Sequence, residues 1–344
     1  MFGSWFNSKN PTIGIDVGRS AIKLAQIGLA DDQTPRLVAS ATIEVPAAQR
    51  TTAAGPLEAL AQSIDVTLEQ NGFRGRRVIL GLPATYVHID RVRLASTLAE
   101  DEINKSVAFE CADRLPFPPS RAKLRHHVAG QVYENDEQRH EVIVMAVRQD
   151  VTERLLSIAS KAKLEIVGLR PEPMALAEAF GRDKNDRCRA IVDIGHGATR
   201  LYVARGARIE FARSIGIGWQ HMGPRPAAAE EKGEWDATPA GLSAGAVTAD
   251  ARATTTNIDA IRRLARDLSL SLHYHAETFP ASPVGELVFV GGASLHRRTC
   301  QQIAAALGLQ SRPADLVALS PDAPAKPELA VAISLSLSTP DGGC

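Results

Sequence analysis

The stretch TIGIDVGRSAIKLAQIG, at residues 12–28, returns in outline as AIVDIGHGATRLYVARG at residues 190–206. The two copies align without gaps, and each holds an acidic residue, a glycine and a basic residue in the same register. The aligned pairs are Asp16 with Asp193, Gly18 with Gly195, Ala21 with Ala198, Lys23 with Arg200, and Leu24 with Leu201. A repeat of this kind indicates a duplicated structural unit.

The pattern around each copy predicts the same succession of strands. In the first copy, apolar residues alternate through Ile13, Ile15 and Val17, a Gly-Arg-Ser turn follows, and a second alternating run begins. A third strand over 37–45, an amphipathic helix and the strand RVILGLP complete the unit. The second copy repeats the order as AIVDIG, TRLYVAR and RIEFARS. We therefore predict two α/β lobes of the same architecture with a cleft between them.

Composition narrows the class of protein. The chain has 344 residues, of which 44% are hydrophobic and 23% charged, which is ordinary for a globular protein of about two domains. Lys plus Arg equal Asp plus Glu at 39 each, so no net charge attracts the chain to nucleic acid or to an anionic membrane. The amino terminus has no signal-peptide pattern, and no apolar run is long enough to span a bilayer. Any contact with a membrane is therefore expected to come through a partner.

The cysteines and histidines give no metal-binding pattern in the sequence. The four cysteines are far apart and form no CxxC pair, so we expect reduced thiols in a cytoplasmic protein. His273 and His275 lie two residues apart on a predicted helix and do not share a face. We therefore assign no metal to histidine.

The two glycine turns suit the chemistry of phosphate binding. A turn of glycine and small residues lets backbone N–H groups approach a phosphate closely, because no Cβ blocks the way. An aspartate at the end of the preceding strand can hold a hydrated Mg²⁺, so Asp16 and Asp193 are the candidate metal residues. Each Asp-x-Gly alone would also suit an ordinary turn, but two copies in register favour a phosphate grip from both sides of the cleft.

A third motif, ELVFVGGASLHRRTC at residues 286–300, predicts a strand, a Gly-Gly turn and a helix. Its glycines would allow a base or ribose to lie flat against the backbone, although a plain strand-to-helix turn has the same pattern. The candidate nucleotide-binding residues are Asp16, Gly18, Arg19, Ser20, Lys23, Asp193, Gly195, Gly197, Thr199, Gly291, Gly292 and Ala293. Arg19 would either add a contact to phosphate or fill the pocket.

The order GIDVGRSAIKL, VDIGHGATRL, VFVGGAS resembles the phosphate 1, phosphate 2 and adenosine motifs of the actin-like ATPase superfamily. That superfamily includes FtsA, sugar kinases and heat-shock chaperones. The resemblance implies an α/β fold of two duplicated RNase H-like domains around a nucleotide cleft, with ATP and Mg²⁺ as cofactors. Within the superfamily, the chain is most similar to the FtsA/PilM branch, and there to the type IV pilus assembly proteins of the PilM family.

The segment between the first two motifs carries the likeness to PilM. VILGLPATYVHIDRVRLASTLAEDEINKSVAFECADRLPFPPSRAKL leads from a strand to an acidic helix start and then to a Pro-containing turn. The resemblance implies subdomain 1A over 1–87 and 149–188, an FtsA-like subdomain 1C inserted over 88–148, and a second actin-like domain over 189–344. Within that second domain, 216–256 is rich in Ala, Gly, Pro and Thr, which predicts a degenerate or disordered 2B region.

The resemblance also implies a function and a partner. We expect a cytoplasmic ATP-binding protein of a type IV pilus or a related secretion system, at the inner face of the inner membrane. It would bind the cytoplasmic tail of a PilN-like inner-membrane protein between 1A and 1C, together with other pilus assembly proteins. Groove candidates are Tyr86, Val87, Leu94 and Phe109, for each of which core packing is the alternative.

No residue of the sequence identifies itself as a catalytic base, so the catalytic residue is unknown and at most slow ATP hydrolysis is expected. Glu172 occupies a position where some relatives hold a polar residue near the γ-phosphate, but an acid in the first turn of a helix is the simpler reading. Two alternatives stay open at this point: an FtsA-like polymer-forming protein and a small-molecule kinase of the same superfamily.

Overall fold

The computed structural model describes residues 11–30, 34–52, 54–182, 187–223, 257–316 and 326–339. The strands that it describes are β1 (Ile13–Val17), β2 (Ala21–Leu29), β3 (Pro35–Glu44), β4 (Arg77–Leu82), β5 (His88–Ala95), β6 (Ala122–Glu134), β7 (Glu137–Arg148), β8 (Glu165–Pro171), β9 (Cys188–Ile194), β10 (Thr199–Arg205), β11 (Arg208–Ile215), β12 (Glu286–Val290) and β13 (Ser311–Pro313). The α-helices are α1 (Gly55–Gln70), α2 (Glu100–Glu110), α3 (Gln149–Lys161), α4 (Glu172–Phe180), α5 (Trp219–Met222), α6 (Ile258–Thr278), α7 (Arg297–Leu307) and α8 (Ala330–Leu337). Among these described helices, none has the length and apolar character needed to cross a membrane.

Two five-stranded sheets have the same strand order. The first runs β3-β2-β1-β4-β8 and the second β11-β10-β9-β12-β13. In both, the first three strands pair antiparallel in chain order and the last two join in parallel. The duplication seen in the sequence is therefore a duplication of topology, and it sets the two glycine hairpins at equivalent places in the two lobes.

Each lobe has its own core, to which the central strand of each sheet contributes a buried apolar face. Ile13 and Ile15 of β1 are fully buried, as are Ala190 and Val192 of β9. Helix α1 covers the first sheet with an apolar face that includes Leu57, Leu60, Ile64 and Leu68. In the second lobe α6 and α7 do the same, with a stripe that includes Ile261, Leu264, Leu268 and Ile303.

Residues 88–148 lie between β4 and β8 in the chain and contain a separate three-stranded sheet in the order β5-β7-β6. Helix α2 packs on it through Ile103 and Val107, which meet Val92 and Leu94 in a small core of their own. This sheet also contacts the second lobe, where the Arg91 guanidinium lies 4.3 Å from the ring centroid of Tyr274. The subdomain boundaries stay a prediction, but the inserted unit has the strands and helix expected for it.

The last helix, α8, packs against the first sheet although the second lobe precedes it in the chain. Its apolar side chains meet Ala25 and Ile27 of β2 and Ala179 of α4. The Ser336 hydroxyl accepts a hydrogen bond from the Ile27 N–H at 2.9 Å and donates one to the Thr12 carbonyl at 2.7 Å. Gly14 of β1 is required here, because a Cβ would overlap the backbone of α8. The chain therefore crosses back and completes the core of the first lobe.

The Ala-, Gly- and Pro-rich segment is ordered at its start. Trp219 and Met222 of α5 are buried in the core of the second lobe. The Asn257 N–H donates to the Met222 carbonyl at 2.7 Å, so the start of the segment at 257 lies beside the end of α5. The predicted 2B region over 216–256 falls outside the described residues from 224 onward.

Candidate functional site

A cavity of about 760 Å³ lies between the two lobes, and both glycine hairpins line it. Most of the predicted nucleotide-binding residues meet there. Those lining the cavity are Asp16, Gly18, Arg19, Ser20, Lys23, Asp193, Gly195, Gly197, Gly292 and Ala293. The sequence repeat therefore brings two glycine turns to the walls of one cleft.

Two predicted residues do not line this cavity. Thr199 is fully buried, and its hydroxyl donates to the Ile217 carbonyl at 2.7 Å, so it holds the chain behind the second hairpin. Gly291 lies beside the Asp193 carboxylate with φ +82, and a Cβ at this position would overlap that carboxylate. The third motif therefore needs glycine at 291 so that its turn can contact the second aspartate.

Each hairpin pairs its aspartate with a basic residue across the strands. Asp16 is the direct register partner of Lys23, and their charged groups lie 3.6 Å apart. Asp193 is likewise the register partner of Arg200 and forms an ion pair with it. The repeat has thus duplicated an acid–base pair as well as a glycine turn, and both pairs face the cleft.

A third carboxylate, Glu172, completes an acidic centre. It is the first residue of α4, is 5% exposed, and lies 3.2 Å from the Arg200 guanidinium that also holds Asp193. Burial raises the pKa of Glu172 well above its ordinary value; Arg200 opposes this rise, whereas Asp193 and Asp16 reinforce it. Burial likewise raises the pKa of Asp16, with Lys23 opposing and Asp193 reinforcing the rise. The resemblance placed Glu172 where some relatives hold a polar residue near the γ-phosphate, and the structure shows it both at the start of α4 and in the lining of the cleft.

Positively charged side chains surround the mouth of the cleft. Arg19 is exposed at the cavity wall, and its Nε donates to the Arg50 carbonyl at 3.0 Å. His196 lies nearby, and its pKa is lowered by burial and then by Arg50 and Arg19. Sequence reasoning missed Arg50, because only the folded structure sets it beside the first hairpin, and it passed over His196 although this residue lies between Gly195 and Gly197 in the second turn. The cluster suits the charge of a polyphosphate.

The residues present fit a nucleotide with Mg²⁺. Gly292 has open space where a Cβ would lie, and Gly197 has only the tips of two side chains near such a position, so both turns offer bare backbone to a ligand. Carboxylate oxygens, which Mg²⁺ prefers, lie beside these turns at Asp16 and Asp193. Lys23 and Arg200 already neutralise these carboxylates in part, and both cations could turn toward bound phosphates.

Comparison with known proteins identifies the family. The family model described as "Type IV pilus assembly protein PilM" matches residues 14–233. This chain belongs to the PilM family. The likeness to PilM that the sequence motifs indicated is thereby confirmed, and the family match extends through both hairpins and the inserted sheet.

Solved structures confirm the fold of this PilM-family chain. A structure described as a PilM-PilN type IV pilus biogenesis complex matches with a TM-score of 0.68 at 22% identity, over 96% of this chain and 98% of that chain. A protein of unknown function with an actin-like ATPase fold, from Bacteroides thetaiotaomicron VPI-5482, matches with a TM-score of 0.50 at 9% identity, over 98% and 99% of the two chains. The predicted actin-like fold is therefore confirmed, whereas the individual site residues remain predictions.

Replacing Glu172 by glutamine is expected to make the unliganded protein more stable than the wild type, by a margin that grows with pH. Burial raises the pKa of Glu172 in the folded state. Its contribution to the free energy of unfolding therefore falls as the pH rises from the unfolded-state pKa toward the folded-state pKa. The window therefore opens near the ordinary value of 4.5 and extends upward. Urea denaturation between about pH 5 and pH 9 measures the difference.

The matched control for this change is Glu58→Gln on the surface, where the side chain is half-exposed and pairs with Arg154 at 3.4 Å. This control is expected to leave the pH dependence of stability unchanged. A Glu172→Gln variant whose stability difference from wild type stays constant over the same pH range would contradict the assignment of Glu172 to a buried acidic centre.

Proposed function

We propose that this PilM-family chain is a cytoplasmic, nucleotide-binding assembly protein that receives the cytoplasmic tail of a PilN-like inner-membrane protein. It would act at the inner face of the inner membrane and reach the membrane only through that partner. The observation that carries the proposal is an apolar groove between the first sheet and the inserted sheet. We call it the inter-sheet groove, and its lining consists of Leu82, Val87, 123–125, 145–147, Thr152, Leu156, 166–169 and Pro171.

The inter-sheet groove has a volume of about 440 Å³ and lies between two edge strands. Strand β8 is the edge of the first sheet, and β6 is an edge of the inserted sheet. Leu156 of α3 stands at the groove with 46% of its surface exposed, which is unusual for a side chain of its size beside other apolar residues. An extended peptide with apolar side chains would cover this surface.

The four residues that the sequence suggested for a groove lie in different parts of the structure. Val87 lines the inter-sheet groove, whereas Tyr86 packs against the core of the first lobe. Leu94 is buried in the core of the inserted sheet, and Phe109, with 80% of its surface exposed, lies on α2 outside the groove lining. The residues best suited to test tail binding are therefore those of α3 and β8.

The energetics of such a groove suit a short flexible tail. Each apolar side chain that leaves water contributes about 1 to 2 kcal/mol, so a few anchors reach micromolar affinity after the cost of ordering the tail. Lys123 and Arg125 at the groove would add attraction for acidic groups of the tail. The similar protein solved as a PilM-PilN complex supports a partner of this kind.

The cleft is the second part of the proposal, with ATP and Mg²⁺ as its ligands. Bound Mg²⁺ would neutralise phosphate charge. Asp16 and Asp193 would hold the ion, the turns containing Gly18 and Gly195 would donate backbone N–H groups to phosphate, and the turn containing Gly292 would flank the nucleoside. Glu172 lies at the wall of the same cleft and pairs with Arg200 at 3.2 Å, and at most slow hydrolysis of the bound ATP is expected.

Replacing Leu156 by aspartate is expected to weaken binding of the partner's tail at least about tenfold, because one apolar anchor is lost and a charge is buried on binding. Titration calorimetry with a synthetic peptide of the cytoplasmic tail measures the dissociation constant. The matched control is Val66→Asp on α1, an apolar residue that is 53% exposed and lies outside the groove.

The control is expected to bind the tail as the wild type does, and both variants are expected to melt close to the wild type, because both side chains are exposed. Equal binding by wild type, Leu156→Asp and Val66→Asp would reject the inter-sheet groove as the docking site. Absence of any tail binding by the wild type would reject the partner itself.

A further inference from the structure

Three side chains of types that can bind metals meet in the second lobe, at its end away from the nucleotide cleft. Cys188 begins β9, Glu210 lies on β11 and His275 lies on α6, and all three are buried. Their donor atoms lie within 4.8 Å of one another. Asp193, which faces the cleft, lies toward the opposite end of β9, so this cluster is separate from the nucleotide site.

The distances suit a small tetrahedral ion. His275 Nε2 lies 3.0 Å from Glu210 Oε2, and Cys188 Sγ lies 3.9 Å from the same oxygen. Ligand atoms around a tetrahedral Zn²⁺ stand about 3.3 to 3.7 Å apart, given its usual bond lengths to sulfur, nitrogen and oxygen. The two distances to the Glu210 oxygen are therefore within about half an ångström of those in a tetrahedral site, and the thiol and imidazole lie within 4.8 Å of each other.

The surroundings leave space for a fourth ligand and a path of entry. A cavity of about 410 Å³ is lined by Cys188 and Ser282, so the thiol side of the cluster opens toward solvent. The Ser282 hydroxyl is 4% exposed and makes no hydrogen bond of good geometry, although it lies close enough to Cys188 and Glu210 to influence both. A buried hydroxyl without a hydrogen-bond partner calls for an explanation, and a bound ion beside it would supply a partner for its oxygen.

The Glu210 carboxylate is almost fully buried, and the partly exposed Arg208 guanidinium lies 3.3 Å from it. A divalent ion bound at this cluster would displace the proton of the Cys188 thiol and compensate the charges of the thiolate and the carboxylate.

We propose that Cys188, Glu210 and His275 form a structural Zn²⁺ site, with the fourth position taken by water from the cavity or by Ser282. A thiolate, an imidazole and a carboxylate form a donor set that Zn²⁺ accepts. The ion would tie β9, β11 and α6 together at the base of the second lobe. No sequence motif indicates this site, because the ligands come from positions 188, 210 and 275 on three separate elements.

The test is a titration of the full chain with Co²⁺ after treatment with a chelator, in a Cys344→Ser background that removes the cysteine outside the described residues. We expect one equivalent of Co²⁺ to give a thiolate-to-metal charge-transfer band, and Zn²⁺ to abolish it. The carboxylates of the nucleotide cleft cannot produce this band. Cys188→Ser is expected to remove the band, and His275→Gln to weaken binding of Zn²⁺ at least about tenfold.

The matched controls are Cys111→Ser, a buried cysteine of the inserted sheet's core, and His273→Gln, an exposed histidine two residues from His275 on the same helix. Both are expected to bind Co²⁺ and Zn²⁺ as the background chain does. Absence of the band in that folded background chain would overturn the proposal even if Cys188→Ser fails to fold. Equal Zn²⁺ affinity in the His275→Gln and His273→Gln variants would also overturn it and leave a buried His–Glu hydrogen bond.

Discussion

Replacing Asp16 or Asp193 by asparagine is expected to abolish the rise in melting temperature that ATP with Mg²⁺ gives the wild type. At a ligand concentration of one hundred times the dissociation constant, binding stabilises a protein by about 2.7 kcal/mol, which is a shift of about 4 °C for a chain of this size. Both carboxylates line the cleft, and each substitution removes one of the two negative groups proposed to hold the metal. Differential scanning fluorimetry with and without nucleotide measures the shift.

The control for this pair is Asp65→Asn, which removes an exposed carboxylate of α1 that pairs with Arg76 at 2.5 Å. It is expected to keep the full nucleotide-dependent shift. A shift that survives in both cleft variants would show that these aspartates do not support binding. A wild type without any shift would end the nucleotide part of the proposed function but leave the inter-sheet groove untouched.

Replacing Arg200 by methionine is expected to destabilise the protein by about 3 to 5 kcal/mol, which is a large part of the stability of an ordinary domain. Arg200 forms ion pairs with both Asp193 and Glu172, and both of these carboxylates are buried. Without the guanidinium, two negative charges would face each other with little water to solvate them. Urea denaturation of the unliganded variant measures the loss.

Two further variants separate this effect from the loss of packing. Lys23→Met removes the equivalent cation of the first hairpin, which has one acidic partner at 3.6 Å, and is expected to cost clearly less. Adding Glu172→Gln to Arg200→Met should restore part of the stability, because one of the two carboxylates then carries no charge. A loss below about 1 kcal/mol for Arg200→Met would contradict the acidic centre.

The glycine hairpins could be predicted from the sequence, because everything that forms them is local. Alternating apolar residues, a glycine turn and a return strand lie within a few positions of each other, so Asp16 and Lys23 had to face each other once β1 and β2 paired. The same holds for Asp193 and Arg200. The repeat also predicts the cleft, because two lobes of the same architecture place their equivalent turns face to face.

The parts that could not be predicted depend on contacts between distant segments. Glu172 reaches the cleft because β8 runs parallel to β4 and delivers the first residue of α4 to the same edge. Thr199 follows the pattern of a binding residue, yet its side chain turns to Ile217 behind the hairpin. The zinc ligands proposed at 188, 210 and 275 illustrate the same limit, since periodicity within any one strand or helix carries no information about the others.

The crossing of α8 back to the first sheet affects how the chain folds during translation. Helix α8 covers Ala25 and Ile27 and hydrogen bonds to the Thr12 carbonyl, but it is synthesised only after the strands of the second lobe. Until then the first lobe carries an uncovered apolar face on the nascent chain, and transiently exposed surfaces of this kind are prone to aggregation and are the reason that chaperones are needed.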